Sequence, residues 1–579
     1  MRLRFALRAV ALVAVIGIVG AACSSNKTPK TSAPGTPGAT TPPGPTKGGS
    51  VVFGAEQWPQ CLNPITSCAS ASWTYYSALY YILPRLLQLD LKGNFVASPV
   101  IKEAPTLDNG GITQSPFTVT YHFADNAVWA DGTPMTSADL AFTLDAILHT
   151  TGTTSTVGYD QIDSIDTTDP KTAVIKFKQV FVDWPDLFGG AFGVFLEKAA
   201  FPKENANTGK VDLKDEMLDN MPFAGGPWKL QSWSKQQAVL VRNDKYFGHQ
   251  PNLDQVTFVP REDQTTEIQS LLSGEVAAIY PQPSNVSLLD QFKANPNVKS
   301  VGGDGVYYEA LWMNRTSPPL DDKAVRLALA YAVDRQAIVD AIVKLNNPAG
   351  EVLNCGVIAF PKIGPWCQGT AGTPYSVYKY DCSQVDSNLT GDGYTKGSDG
   401  YYQKGGKDLN ITWSTVAGNK RRETTQALEL EKAKACGIKL TVKNYEATDL
   451  FSNKLPQGDF TLGEYAQGGS VDPTITAILA CDQFPTKANS FAGGNYDRWC
   501  SDPATALMKS SDMELDQSKR VQELQQVYGL EAQELPALPL YVLPAVSAWR
   551  GDKIAGPIGD YNSSIYGVFW NMDQWYVAS

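Results

Sequence analysis

A chain of 579 residues is longer than one hydrophobic core serves, so two or three lobes are expected. Net charge is −11, and residues 1–47 hold six basic and no acidic side chains, leaving 42 basic against 59 acidic in the remainder. So acidic a body repels phosphate backbones and argues against nucleic acid as a partner. Its 13 Trp and 25 Tyr suffice for a packed interior and for a cleft with flat apolar walls.

Arg2, Arg4 and Arg8 precede the apolar run Ala9–Ala22, which at 14 residues is too short to cross a bilayer as a helix. Residues 1–22 read as an export signal. Gly20-Ala21-Ala22 places small residues before Cys23, which resembles a bacterial lipoprotein cleavage site, although Gly20 stands where an aliphatic residue is usual. The resemblance implies a lipid on Cys23. Residues 23–47 carry Pro, Thr, Gly and Ser with no large apolar side chain, a composition that cannot bury enough surface to fold and serves as a tether. Setting Cys23 aside, eight cysteines remain: Cys61, Cys68, Cys355, Cys367, Cys382, Cys436, Cys481 and Cys500. In an exported protein an even set predicts four disulfides. Proximity pairs Cys61 with Cys68, Cys355 with Cys367 and Cys481 with Cys500, leaving Cys382 with Cys436. No C-x-x-C occurs, so zinc ribbons and thiol redox chemistry lack support.

The body begins with a short strand from Gly48 and an apolar stretch at Tyr80–Leu91. In Thr118–Phe123, Val119, Tyr121 and Phe123 alternate with polar residues, the period of a half-buried strand. Ala130-Asp131-Gly132-Thr133-Pro134 is a turn, and Thr136 with Asp139 forms a capping-box pattern for a helix that faces inward with Leu140, Leu144, Ile147 and Leu148. Strands follow at Thr172–Lys178 and Ala238–Arg242, then a helix over Thr265–Gly274 and a strand over Val276–Tyr280. VYYEALWMN, from Val306, is a strand, and beyond Pro318-Pro319 a helix starts at Asp321 or Asp322 with Val325, Ala328, Leu329, Ala332 and Val333 inward. Asp334 caps another helix, and Glu423–Cys436, closed by Gly437, leads into the strand Ile438–Val442.

Marks of catalysis are few. There is no G-x-S-x-G, H-E-x-x-H or phosphate-binding loop, and His122, His149 and His249 lack ligand spacing, so no cofactor, metal or nucleotide hydrolysis is expected. Asp392 and Asp399 suggest a calcium loop, but their spacing fails.

Trp129-x-Asp131-Gly132-Thr133-Pro134-x-Thr136-x-x-Asp139, with Gly226-Pro227-Trp228, the MN-x-x-x-PPL run ending in Arg326, Asp334 and Arg335, and LPALPLY at Leu535–Tyr541, resembles the family 5 extracellular solute-binding proteins, the oligopeptide- and dipeptide-binding components of ABC importers. The resemblance spans roughly residues 48–579. It implies an α/β, periplasmic-binding-protein-like fold of two main lobes plus an additional one, with the ligand cleft between lobes. Lobe I would comprise residues 48–91, 223–307 and 536–579, lobe II 92–222 and lobe III 308–535. It implies a lipid-anchored monomer at the outer face of the cytoplasmic membrane, in the periplasm or cell envelope, that hands peptides or peptide-like solutes to a permease and its ATPase. Mapped onto this chain, the ligand residues are Gln57, Trp58, Tyr308, Trp312, Asn314, Glu464, Tyr465, Gln467 and Asp472. One departure concerns the solute's α-amine: peptide-binding members pair it with Asp in a Trp-x-x-Asp setting, where this chain has Glu464-Tyr465-Ala466-Gln467-Gly468-Gly469. Glu464 or Asp472 substitutes, or the ligand lacks that amine. Two other readings are an oligosaccharide receptor of the same family and a secreted hydrolase that uses paired carboxylates.

Overall fold

A computed structural model describes residues 45–66, 69, 79–91, 93–153, 156, 158–190, 193–206, 210–281, 286–356, 365–446, 449–468, 473–489, 491, 493–559 and 567–578. The export signal, Cys23, most of the tether, Cys68 and Asp472 lie outside the described residues. Among the described residues no helix is long and apolar enough to cross a membrane.

In chain order the strands that build the two main sheets are β1 (Ser50–Ala55), β2 (Ile112–Gln114), β3 (Phe117–His122), β4 (Ile162–Asp169), β5 (Thr172–Phe177), β6 (Trp228–Trp233), β7 (Ala238–Arg242), β8 (Gln255–Pro260), β9 (Ala278–Ile279), β10 (Val298–Met313), β11 (Asn410–Ser414), β12 (Lys439–Val442), β13 (Leu462–Gly468) and β14 (Ala537–Arg550). The helices used below are α1 (Ser137–His149), α2 (Gln264–Ser273), α3 (Lys323–Ala332) and α4 (Lys420–Ala435).

A ten-stranded sheet runs β12-β11-β13-β10-β14-β9-β1-β8-β7-β6. Its centre is the antiparallel pair of long strands β10 and β14, which touch β13 on one side and β9 on the other. The ladder between them slips twice, between Asp304 and Tyr308 and between Glu309 and Ala310, and the first slip is the larger. Asp304 faces Pro544 and Tyr308 faces Val542, so three residues of β10, Gly305, Val306 and Tyr307, stand against Leu543 alone. Pro544 has no N–H to donate, and the glycines around Asp304 let the backbone bulge. A Cβ on Gly305 would lie 2.8 Å from the Leu543 carbonyl oxygen. A separate four-stranded sheet, β2-β3-β5-β4, forms within residues 112–177.

The W-x-DGTP-x-T-x-x-D segment earns its residues locally. Trp129 N–H donates to the Thr133 carbonyl at 2.8 Å across a turn in which Gly132 has φ +98°, a left-handed angle that favours glycine. Asp139 closes the capping box of α1 and accepts from Thr136 N–H and Oγ1, both at 2.9 Å, from Lys198 N–H at 2.9 Å and from Trp129 Nε1 at 3.4 Å. Trp129 itself is buried against Phe195 and Phe223. The motif is thus a self-satisfied turn that joins strand to helix.

Other helix ends follow their sequence signals. Asp263 caps α2 and Gly274 ends it in the left-handed region, Asp322 caps α3, and Asp334 caps the helix beginning at Arg335. The inward stripe Val325, Ala328, Leu329, Ala332 and Val333 is buried. The helix expected from Glu423 starts earlier, at Lys420, with Asn419 as its cap. Each histidine has a local partner: His122 Nδ1 meets Thr172 Oγ1, His149 meets Asp145, and His249 meets Asp573.

Three of the expected disulfides are present, Cys355–Cys367, Cys382–Cys436 and Cys481–Cys500. Cys61 is disulfide-bonded as well. Cys481 and Cys500 are 19 positions apart, and opening a loop of that size restores chain entropy to the unfolded state. Replacing both by Ser is expected to cost about 3 kcal/mol, read as a lower denaturation midpoint in non-reducing buffer.

Candidate functional site

Where the two halves of the long sheet meet at β10 and β14, the chain encloses a cavity of about 450 Å³. Glu56 and Gln57, just past β1, and Tyr280, just past β9, form one wall. The β10 bulge, Gly305 to Tyr307, and Leu543 to Ala545 of β14 form the floor. The far wall comes from the other half of the sheet: Val416 after β11, Asn419, Arg421 and Arg422 at the start of α4, Phe451, and Ala466 of β13. Ligands bind at such places because strand ends and helix starts leave backbone polar groups and side chains pointing into one gap. Two smaller cavities, about 240 and 260 Å³, lie beside Tyr80, Arg85 and Tyr246 and beside Asp131 and Glu197.

The β10–β13 register decides which expected residues reach this cavity. Glu309 is opposite Ala466 and Leu311 opposite Glu464, so Tyr307, Glu309, Glu464 and Ala466 share one face. Tyr308 is opposite Gln467 and Ala310 opposite Tyr465, which puts Tyr308, Trp312, Tyr465 and Gln467 on the other. Of the expected residues Gln57 borders the cavity, and the immediate neighbours Tyr307 and Ala466 border it where Tyr308 and Tyr465 do not. Trp58 donates from Nε1 to the Ser234 carbonyl at 3.0 Å. Asn314 is fully buried, donating to the Gly458 and Phe460 carbonyls at 3.0 and 2.8 Å and accepting from Thr316 N–H and Oγ1. Trp312 stacks on Tyr465, centroids 4.9 Å apart and planes 9° off parallel, and its Nε1 donates to the Tyr465 carbonyl at 3.0 Å.

Behind that second face lies a polar layer. Burial, then Glu531, Tyr528 and Asp497, pushes the Tyr308 hydroxyl well above its ordinary value. Asp497 is buried, accepts from Trp499 N–H at 2.9 Å, and is raised by burial to about 7. A carboxyl raised in the folded state contributes stability that is complete below its unfolded pKa near ~4 and is lost as pH rises through about 7. Asp497→Asn is therefore expected to match the parent at about pH 3.5 and to exceed it increasingly up to pH 8, read as the difference in denaturation midpoint.

On the cavity face sits a buried ionisable cluster of which sequence reasoning named Glu464 and missed Glu309, Arg421 and Arg422. Arg422 donates from Nε and Nη2 to Glu309 at 3.0 and 3.4 Å, and Arg421 Nη1 lies 2.6 Å from Glu309 and also donates to Tyr541 Oη. Glu309 and Glu464 are both fully buried, and Arg421 and Arg422 nearly so. Neither carboxyl oxygen of Glu464 hydrogen-bonds to an arginine. Burial first, then Glu309, raises its carboxyl well above its ordinary value against the pull of both arginines, which favours its neutral form. A signal existed in the sequence. Two adjacent arginines at a helix start oppose the helix dipole, which favours anions there, so a carboxylate from elsewhere had to meet them.

The chain is similar to known proteins over most of its length. The oligopeptide-binding protein AppA of Bacillus subtilis is 25% identical over 550 residues, covering 92% of each chain. The oligopeptide-binding protein OppA of Mycobacterium tuberculosis is 26% identical over 450 residues, covering 75% of this chain and 71% of its own. Among solved structures, the periplasmic EDTA-binding protein EppA superposes with a TM-score of 0.80 at 19% identity, covering 93% of this chain and 98% of its own. AppA in complex with a nonapeptide gives 0.73 at 23% identity over 92% and 100%. These structures share the fold, a mixed α/β architecture of the periplasmic-binding-protein type. The sequence profile of the bacterial extracellular solute-binding proteins, family 5, matches residues 108–482, and this chain belongs to that family.

Proposed function

We propose that this chain is the substrate-binding protein of an ABC importer, capturing oligopeptides or peptide-like solutes outside the cytoplasmic membrane and delivering them to a permease and its ATPase. The observation that carries this reading is the cavity at the junction of the two sheet halves, walled by Gln57, Tyr280, Tyr307, Phe451 and Ala466. Its edges are the ends of β1 and β13, whose backbone groups can pair with an extended peptide, while the aromatic walls accept varied side chains.

Lobe I is assigned to residues 48–91, 223–307 and 536–579, lobe II to 92–222 and lobe III to 308–535. Since β10 and β14 run through both sheet halves, lobes I and III would rock about this pair. Lobe II meets lobe III where Val182 N–H donates to the Asp512 carbonyl at 3.0 Å and Thr474 Oγ1 donates to Asp183 at 3.2 Å. A solute that touches both halves only when they are closed favours the closed state by that difference in contact. A lipid on Cys23 and the tether would hold a monomeric body at the membrane. No catalytic step is assigned. The oligosaccharide reading draws less support, because no Trp is among the described cavity residues and Trp312 stacks on the opposite face.

Native mass spectrometry of the protein purified from its own host tests the proposal. A co-purified peptide mass that exchanges with added peptide is the expected result. A preparation that holds no solute and binds no peptide overturns it, and release of a chemically altered solute favours the hydrolase reading.

A further inference from the structure

We propose that the solute presents a large apolar side chain, aromatic or branched aliphatic, to Phe451, and that Phe451 sets the preference for it; this deepens, and rests on, the binding-protein reading above. Eight large apolar side chains are exposed among the described residues, and Phe451, at 41%, is the one that borders the cavity. A lone apolar side chain on an outer surface is ordinary, but one that opens into a ligand cavity offers area that a solute can cover. This ring is also held in place. Its neighbour Leu450 is fully buried and anchors the π-helical turn Leu450–Lys454, a geometry frequent at functional sites. The Phe451 ring lies nearly perpendicular to that of Tyr465, with centroids 6.0 Å apart and planes at 85°. Tyr465 is buried in turn and clamped by its parallel stack on Trp312. Three rings in series thus fix one exposed ring at the cavity wall, so little freedom is left to lose when a solute meets it.

Its surroundings are of the same kind. Val416 and Ala466 border the cavity from the same half of the sheet, Tyr307 and Leu543 from the floor, and Tyr280 from the opposite wall. The charged groups that border the cavity come from other segments, Glu56 past β1 and Arg421 and Arg422 at the start of α4, and both arginines are already engaged by Glu309. A carboxylate laid on Phe451 would lose its water against a ring whose face is negative. A branched aliphatic side chain gains by leaving water, and an aromatic one adds ring-to-ring contact beyond the area it covers. An ammonium is drawn to a ring face as well, and the test separates that occupant from an apolar one.

Alanine peptides of three to six residues, in which each position in turn is Phe, Leu, Asp or Lys, are offered to ligand-free protein, and occupancy is read by native mass spectrometry. At one position Phe and Leu are expected to bind roughly 10- to 30-fold more tightly than Ala, the range for covering a partly exposed ring, and Asp no better than Ala. Phe451→Ala, checked for folding by circular dichroism, should collapse the Phe-to-Ala ratio at that position toward one, and Phe451→Leu should retain most of it. Phe451→Lys should reverse the order and favour Asp over Phe. Equal binding of the whole series by the parent overturns the inference and leaves the peptide reading intact. So does a preference for Lys over Phe, or a Phe preference that survives in both Phe451→Ala and Phe451→Lys. Binding of none of the peptides overturns both. Should Phe451→Ala not fold, Phe451→Lys decides by whether the order reverses, since the position already meets water.

Discussion

Glu309→Gln combined with Glu464→Gln is expected to destabilise the protein by about 4 kcal/mol, the cost of leaving buried guanidiniums without a carboxylate. The single substitutions should not sum to that figure. Glu464→Gln alone should cost less than about 1 kcal/mol, because burial already favours the neutral form of the group it replaces and neither of its oxygens bonds to an arginine. Glu309→Gln alone should fall short of the double variant. With Glu309 gone, the repulsion that helps keep Glu464 protonated disappears, and Arg421 and Arg422 draw a proton off it. Glu464 is thus a reserve anion. A denaturation cycle of the four proteins should show a coupling of about 1 kcal/mol or more, and additivity would show that Glu464 does not sense the arginines.

Trp312→Ala should cost about 4 kcal/mol, at the upper end for a buried aromatic. Three losses combine. The ring is buried, its parallel stack with Tyr465 disappears, and the Tyr465 carbonyl loses the donor that reached it at 3.0 Å. Trp312→Phe retains the stack and loses only the donor, so it should recover more than half of that loss. Guanidinium denaturation of the two variants measures both quantities. Equal costs for Ala and Phe would place the stabilisation in the indole N–H alone.

Much of the local structure could be read directly. Thr136 with Asp139, Asp322, Asp334 and Gly274 each announce a helix end by chemistry confined to a few neighbouring residues, and each stands at one. The same locality made Cys355–Cys367 and Cys481–Cys500 readable from spacing, while Cys382–Cys436, 54 positions apart, followed only as the remaining pair. The cavity was less legible because it depends on pairing between distant strands. Tyr308 and Tyr307 differ by one position, and in a strand one position exchanges faces; only the register against β13 tells which of them meets the cavity. The start of α4 was read three residues late for a related reason. Lys420, Arg421 and Arg422 look wrong at a helix start until Glu309, more than a hundred residues earlier, is brought beneath them.

The order in which the long sheet takes its strands has a consequence for biosynthesis. Ser50 at the beginning of the body pairs with Gln255, and β9 and β10 both wait for β14, which begins only at Ala537. A nascent chain that ends before Ala537 lacks the strand joining the two halves, so the sheet cannot be completed during most of translation. Contacts this far apart in sequence form slowly. A polypeptide bound for export gains from such lateness, because a translocation channel threads an extended chain and must receive it before the final strand locks the fold.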